Sequence, residues 1–513
     1  MNLANAVRFW SRWNPEGESL VFEDRSLSWA ELDDRTSRLA AGLAASGIGR
    51  GDRVGILSNN CVEYVELAIA GYKLGSILVP LNVRLTPPEL RYIINNVECC
   101  AIVADPDLET VARETIEGLK QPPTRIGFGD GFGTSFDELR SHGAVDPAVD
   151  VAGDEVAYIL FTSGTTGLPK GAMLTHGNVM AMAYNRILAD DLTSASRVYL
   201  PFPLSFTGGL VSMWAPTYLG GATLVLDPVV DAARALEIIE RHAITNFSAV
   251  PVIWEMLIQH PNFESHDLSS LTVIGSGGAA VPGALLEALQ AAGLPMSQGY
   301  GLTEGAGMNT WLNAADAQRK LGSCGQPMMH TRVRTVEPDN PQLIDVKSGE
   351  IGELIIKGPE IMIGYWNAPE STAETLVDGW LRTGDLARID EEGYVFIVDR
   401  SKDMLISGGL NVYPAEIEAV LAGIEGIAEC AVIGVADERW GETPIALVRA
   451  LPETTLEATS IASICRDNLA DYKRPRYIVI RDEPLPRGMS GKVLKRELRD
   501  EYQDRGALGP AVH

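Results

Sequence analysis

The sequence predicts an α/β protein in two parts. The first is a large N-terminal domain, residues 1–399, with mostly parallel sheets flanked by helices plus a small β unit. The second is a small α+β C-terminal domain, residues 400–513. Three observations predict this. A chain of 513 residues is too long for one hydrophobic core. Up to Tyr300, short apolar runs alternate with helical ones, the pattern of parallel strands joined by crossover helices. After Gly352 the pattern becomes alternating, and beyond Asp399-Arg400-Ser401-Lys402-Asp403 the chain has its own αββα order.

In chain order, Leu27-Ser28-Trp29-Ala30-Glu31-Leu32 begins a helix capped by Ser28, which runs toward Ser46 and stops at Gly47. Strand Asp52 to Leu57, helix Cys61 to Leu74, strand Ser76 to Pro80, helix Pro87 to Asn95 and strand Cys100 to Ala104 follow. Residues 121–153, rich in Gly, Pro and Asp, read as surface connection. A second β–α series restarts at Val198 to Pro201. It continues through strand Ala222 to Leu226, helix Ala233 to His242, strand Asn246 to Val250 and helix Pro251 to Gln259. Strand Leu271 to Gly275, helix Pro282 to Ala292 and strand Met296 to Tyr300 complete it. Glu353 to Lys357 and Tyr394 to Val398 alternate as in a small antiparallel unit. The C-terminal part reads as helix Ala415 to Leu421, strands Cys430 to Ile433 and Ile445 to Ala450, and helix Ser460 to Asn468. Its tail after Arg505 is expected to be frayed.

Composition narrows the function classes. Hydrophobic residues make up 46% and charged residues 21%, as in globular proteins. A net charge of −26 repels nucleic-acid phosphates, so no nucleic-acid partner is expected. The same field repels ATP, so a nucleotide site must gather cations locally or use Mg²⁺. Six cysteines (Cys61, Cys99, Cys100, Cys324, Cys430, Cys465) show no C-x-x-C pairing and read as reduced thiols. Met1 to Gly17 carries Arg8, Arg12 and Glu16 within its only apolar stretch and has no signal-peptide core. The longest apolar run, Leu67 to Val83, is broken by Lys73, Gly71, Gly75 and Pro80. It reads as a helix and a buried strand, not a membrane span, and a cytoplasmic location is expected.

One stretch carries the strongest chemistry. An apolar run, Tyr158 to Phe161, ends in Thr162-Ser163-Gly164-Thr165-Thr166-Gly167-Leu168-Pro169-Lys170-Gly171. Glycines let backbone N–H groups approach an anion, hydroxyls add donors without bulk, and Lys170 adds positive charge. Such a loop suits a polyphosphate. Its spacing is not G-x-x-x-x-G-K-[ST], so it is not the Walker loop. The segment resembles the phosphate-loop signature of the acyl-adenylate-forming superfamily: acyl-CoA synthetases, peptide-synthetase adenylation domains and beetle luciferases. The resemblance extends over roughly residues 20–500.

That resemblance implies an AMP-forming acyl-CoA synthetase with ATP, Mg²⁺ and coenzyme A, a small-molecule carboxylic acid as partner, and a C-terminal domain that is mobile. Such an enzyme needs a phosphate loop, a magnesium carboxylate, a ribose anchor, a base pocket and a cation near the reacting atoms. Gln298-Gly299-Tyr300-Gly301-Leu302-Thr303-Glu304 follows a strand, where α/β sheets bind ligands. Tyr300 offers a flat face for adenine, Thr303 a donor to phosphate, and Glu304 a hard oxygen ligand for Mg²⁺. Gly277-Gly278-Ala279-Ala280 resembles the segment along the adenine and the acyl pocket. Trp380-Leu381-Arg382-Thr383-Gly384-Asp385 resembles the motif whose Asp accepts both ribose hydroxyls. Arg400 is similar to the second ribose contact, and Lys402 stands at the family's hinge position. The family pattern makes Lys492, in Arg487-Gly488-Met489-Ser490-Gly491-Lys492, the lysine bridging carboxylate and ATP, ahead of Lys495 and Arg496. Gly408-Gly409 resembles the loop that enters the site for thioester formation, after the small domain rotates.

Other readings use the remaining residues. His176, after the phosphate loop, is assigned a helix-capping role. Leu200-Pro201-Phe202-Pro203-Leu204-Ser205-Phe206-Thr207 departs from the family's commoner Phe-His pair, with Phe206 at the His position. Phe206, Thr207, Trp254 and Gly277 are candidates for the acyl pocket. No Arg or Lys falls in these stretches to pair a second carboxylate, which disfavours malonate-like acids. The composition favours a medium-length, aromatic or alicyclic acid. Rival readings are an adenylation enzyme that loads a carrier protein, a luciferase-like oxidation and a non-catalytic nucleotide-binding protein. A dehydrogenase is opposed by the lack of G-x-G-x-x-G after the first strand.

Overall fold

The computed structural model describes residues 2–512 apart from 144–145, 163–167, 339, 401–402, 408–409, 438–439, 453, 488–492, 503–507 and 509–510. The chain forms two compact units. One comprises residues 1–333, 355–383 and 393–395; the other comprises 334–354, 384–392 and 396–513.

The first unit holds two large sheets. In one, the strands lie in the order Gln326–Pro327, Thr310–Leu312, Met296–Tyr300, Val273–Gly277, Asn246–Ala249, Arg197–Leu200, Thr223–Leu226, Glu18–Phe22 and Arg25–Ser28. Its six central strands, Met296–Tyr300 through Glu18–Phe22, are parallel to one another, and the strands beyond them on either side are antiparallel. The other runs Gly364–Tyr365, Lys170–Thr175, Val156–Thr162, Ile77–Leu81, Arg53–Leu57, Ala101–Ala104, Thr124–Gly127 and Thr134–Ser135. The alternation read from the sequence therefore forms as expected, with element ends shifted by one or two residues.

Local signals explain the helices between these strands. Ser28 and Glu31 form a reciprocal capping box on helix Trp29–Ala45. Thr86 and Glu89 do the same for Pro87–Val97, with Pro87 at its first position. Helix Val62–Leu74 ends at Gly75, whose φ of +75° a side chain would strain. The lysine that interrupts the apolar run of this helix is fully buried: Lys73 Nζ reaches Asp33 Oδ1 at 2.5 Å and Ser37 Oγ at 2.7 Å. It fastens this helix to Trp29–Ala45, whose Asp33 and Ser37 lie one turn apart.

Two expectations are corrected. Residues 121–153 are not merely surface connection. They add strands Thr124–Gly127 and Thr134–Ser135 to the sheet and form helix Phe136–Arg140. Ile126, Phe132, Phe136 and Leu139 are buried. Some of the glycine content meets a packing demand, since a Cβ on Gly133 would lie 2.0 Å from the carbonyl oxygen of Arg125. The described part of the tail is not frayed either: Leu508 is buried and Val512 N donates to Arg476 O at 2.9 Å.

In the second unit, strands Leu410–Val412, Leu405–Ser407, Gly441–Ala450 and Ile427–Asp437 form a sheet, with Tyr477–Arg481 parallel to Gly441–Ala450. Helices Pro414–Ala422 and Ala458–Asn468 contribute to a core that includes Ile417, Leu421, Ile461 and Val448. Strands Gly352–Lys357, Trp380–Ile389 and Val395–Arg400 belong to a separate five-stranded sheet, the small β unit expected from the alternating stretches. Among the described residues no helix is long and apolar enough to cross a membrane, and all six cysteines are free.

Candidate active site

In the first unit the site is built where strands end. Val156–Thr162 and Lys170–Thr175 are antiparallel, with Thr162 opposite Lys170, so the two ends of the phosphate-loop motif are held in register. Ser163, Gly164, Thr165, Thr166 and Gly167 themselves lie outside the described residues. Strand Met296–Tyr300 leads into a short turn, Thr303–Gly305, which carries Glu304. Glu304 Oε1 accepts from Tyr365 Oη at 2.8 Å and from Thr162 Oγ1 at 3.3 Å. Both bonds fall on one oxygen, so among the described residues Oε2 is left for another ligand. A half-buried carboxylate of this kind suits Mg²⁺, which takes one or two carboxylates alongside phosphate oxygens.

Tyr365 was not anticipated. It lies sixty-one residues beyond Glu304, and no local pattern links the two. Its ring also faces Lys170 Nζ, 5.5 Å from the centroid, so one aromatic side chain orients both a cation and a carboxylate. Burial, and then the nearby Glu304 charge, push the Tyr365 phenol well above its ordinary value, so it remains a donor.

Thr207 and Thr303 meet directly, with a hydroxyl–hydroxyl distance of 2.8 Å. This joins the Phe206–Thr207 stretch to the turn carrying Glu304. A π-helical turn, Gly208–Trp214, follows Thr207 and leads into helix Ala215–Gly220. Such turns are rare and often stand at functional sites. Gly307, at φ +119°, lets that turn close in, because a Cβ there would lie 1.8 Å from Ser212 Oγ. Gly299 and Gly301 are likewise places of close approach: a Cβ would lie 2.2 Å from Met308 Sδ and 1.4 Å from Gly307 O, respectively. Tyr300 is half-buried at its strand end, and Gly278, Ala279 and Ala280 form an exposed turn after Gly277, with Gly278 at φ +80°.

Two sequence assignments change character. Trp254 is a core residue, 1% exposed, packed 5.0 Å from the Phe247 ring centroid; its indole N–H donates to Gly275 O at 3.0 Å. It therefore fixes strand Val273–Gly277 from behind. His176 does not cap its helix, because Thr175 and Asn178 form the capping box. His176 is the first helical residue, edge-on to Tyr72, and burial lowers its pKa to about 4.

The second unit, taken by itself, holds a separate cluster. Asp385 Oδ1 lies 3.3 Å from Arg400 Nε, which brings together the two residues assigned to the ribose. Arg400 ends its strand beside Asp399, a buried carboxylate that accepts from Ala415 N at 2.9 Å and from Arg400 N at 2.7 Å. Lys402, Gly408, Gly409 and Lys492 lie outside the described residues. Their flanks are ordered by pairing. Ser407 pairs with Leu410 across one hairpin, and Arg487 with Val493 across the other loop. Lys495, the neighbour of Lys492, forms an ion pair with Glu418 at 2.8 Å.

Comparison with known proteins gives the lineage. Residues 8–366 match the AMP-binding enzyme family and residues 416–492 match the AMP-binding enzyme C-terminal domain. A feruloyl-CoA synthase of Amycolatopsis sp. is 38% identical over 493 residues, covering 96% of this chain and 97% of that one. An indoleacetate–CoA ligase of Aromatoleum aromaticum is 38% identical over 495 residues, covering 94% and 95%. Among solved structures, the o-succinylbenzoate CoA synthetase of Bacillus subtilis with its acyl-adenylate intermediate superposes with a TM-score of 0.87 at 32% identity, covering 97% of this chain and 98% of that one. The same enzyme has been solved with ATP and a magnesium ion, with a TM-score of 0.87 at 31% identity, covering 97% and 99%. This chain belongs to the AMP-binding enzyme family, within the acyl-adenylate-forming superfamily.

Proposed function

We propose that this enzyme joins a medium-sized aromatic or alicyclic carboxylic acid to coenzyme A through an acyl-adenylate. In the first step a carboxylate oxygen attacks the α-phosphorus of ATP and pyrophosphate leaves. In the second the CoA thiol attacks the acyl carbon and AMP leaves. The observation that carries this reading is the convergence of Thr162 and Tyr365 on Glu304, beyond the carboxyl ends of strands Val156–Thr162 and Met296–Tyr300.

The residues divide the work. Lys170 and the hydroxyls and backbone of 162–167 hold the phosphates, with Gly299, Tyr300, Gly301 and Gly278–Ala280 along the adenine. Glu304 holds Mg²⁺, which when bound neutralises charge on the phosphate oxygens. Tyr365 keeps the Glu304 carboxylate oriented. Thr303, fixed by Thr207, donates toward phosphate. Asp385 and Arg400 hold the ribose, and Lys492 meets the charge that develops during attack. Residues 400–513 move as a body about Lys402 and bring Gly408–Gly409 to the pantetheine arm for thioester formation. Phe206 and Gly277 border the acyl group. The identity of relatives such as feruloyl-CoA synthase and indoleacetate–CoA ligase supports an aromatic acid.

The test is a pyrophosphate-release screen over carboxylic acids, with CoA and without it. Acid-dependent release together with acyl-CoA formation is expected. Release without any CoA thioester would favour loading of a carrier protein, and no release with any acid would make the chain a nucleotide-binding protein only.

A further inference from the structure

We propose that Asn178 is a positioning residue for the magnesium carboxylate: its side-chain amide anchors the segment that holds Glu304 at both its backbone and its side chain. This inference rests on the ligase reading above, in which Glu304 holds Mg²⁺. Asn178 lies in the first turn of helix His176–Ala189, just after strand Lys170–Thr175. It is 7% exposed. Its Oδ1 accepts from Thr175 N at 2.8 Å, which closes the capping box. Its Nδ2 donates to Pro359 O at 2.7 Å and to Ile361 O at 2.8 Å, 181 and 183 residues further along the chain.

Capping does not call for those two donors. A capping box needs only an acceptor at this position, and a carboxylate would serve there and suit the positive end of the helix dipole as well. An amide is required where the same side chain must also donate. Here its oxygen and its nitrogen are both engaged.

Residues 358–363 lie between strands Gly352–Lys357 and Gly364–Tyr365. Directly after the anchored carbonyls, Met362 N donates to Glu304 O at 2.9 Å and Ile363 N to Met173 O at 3.1 Å. Gly364 and Tyr365 then pair with Met173 and Ala172, and Trp366 N donates to Gly171 O at 2.8 Å. Tyr365 Oη reaches Glu304 Oε1 at 2.8 Å. One segment therefore grips Glu304 twice, through its carbonyl and through its carboxylate. Asn178 ties that segment to Thr175, which pairs with Val156 in the hairpin framing the phosphate loop. Its amide thus links the two parts that act on one nucleotide, the phosphate loop and the metal carboxylate.

The test uses the full chain with Asn178→Asp, which has nearly the same shape. The carboxylate keeps the bond from Thr175 N but cannot donate, so the hold on Pro359 and Ile361 is what it loses. In the ligand-free protein, hydrogen-exchange mass spectrometry is expected to show exchange about tenfold faster or more over residues 361–366, with 176–189 unchanged. At fixed ATP, the Mg²⁺ concentration for half-maximal acid-dependent pyrophosphate release is expected to rise about 10–100-fold, with excess Mg²⁺ restoring most of the rate. Asn178→Ala, which introduces no charge, is expected to give the same two changes with a lower melting temperature, since the cap is lost too. Asn178→Asp combined with Tyr365→Phe is expected to shift the Mg²⁺ dependence by less than the product of the separate shifts, because both act on one carboxylate. Unchanged exchange over 361–366 in both variants overturns the inference. So does a lost rate that excess Mg²⁺ does not recover, as for an amide that serves only the fold. An unchanged Mg²⁺ dependence while pyrophosphate is released overturns only this inference, whereas no release from wild type with any acid overturns the proposed activity and this inference with it.

Discussion

Replacing Tyr365 with Phe removes one hydroxyl and leaves the ring. The ring keeps its place 5.5 Å from Lys170 Nζ, so the cation–π contact survives while the bond to Glu304 is lost. That bond, at 2.8 Å, runs from a phenol that burial and Glu304 keep protonated to a carboxylate, the charge-assisted kind. Hydrogen bonds to charged groups contribute about 1.5–3 kcal/mol. If the bond orients Glu304 for Mg²⁺, its loss lowers activity at limiting Mg²⁺ by about tenfold to about 150-fold, at ~1.36 kcal/mol per decade. Outer-sphere partners of metal ligands show losses of about 10–100-fold. The assay is acid-dependent pyrophosphate release as Mg²⁺ is titrated at fixed ATP, with a thermal melt beside it. Folding should suffer by no more than about 3 kcal/mol. A Tyr365→Phe enzyme with an unchanged Mg²⁺ dependence would refute both the positioning role of Tyr365 and the metal role of Glu304.

Asp385→Ala should raise the apparent KM for ATP by about tenfold or more, since a ribose contact binds ground and transition states alike; initial rates against ATP check this. Lys492→Ala should slow adenylation by about 10²–10³-fold yet still convert synthetic acyl-adenylate and CoA to thioester, and equal loss of both half-reactions would reject the assignment. Trp254→Ala should cost about 3–5 kcal/mol of stability in a denaturant melt, because the side chain is buried and holds Gly275. His176 gives the chain a source of acid sensitivity. Its pKa is depressed from 6.5 to about 4 in the folded state, so the unfolded chain takes the proton first. Its contribution is complete above about pH 6.5 and is lost as pH falls toward about 4, a change of roughly 3 kcal/mol. His176→Phe should flatten that part of the stability–pH curve.

The fold was legible because its signals are local. Ser28-x-x-Glu31 and Thr86-Pro87-x-Glu89 mark helix starts, and strands such as Val156–Thr162 are continuous apolar runs. What escaped depends on contacts between distant residues. Tyr365 acquires its role only when strand Gly364–Tyr365 pairs with Lys170–Thr175 and brings its hydroxyl to Glu304. Asn178 reads as an ordinary polar residue of a helix, and only packing brings its amide to Pro359 and Ile361. Glycine was ambiguous in the same way. The glycines of 121–153 suggested a loop, whereas Gly133 is there because another backbone passes close by. The adjacency of Asp385 and Arg400 likewise needs strand pairing that neither motif encodes alone.

The hairpin that frames the phosphate loop separates durability from chemistry. Its ladder runs unbroken from Tyr158 opposite Leu174 to Thr162 opposite Lys170, and Gly171 belongs to that ladder, because a Cβ there would strike Ile159 Cγ2 at 2.6 Å. The last glycine of the motif thus serves the sheet, while residues 163–167 lie between two ends already anchored. If residues 163–167 hold the phosphates as proposed, changes there would alter catalysis and leave the described pairing in place, and a change at Gly171 would do the reverse. A lineage can therefore explore new chemistry in this loop with its folding insured by residues a few positions away.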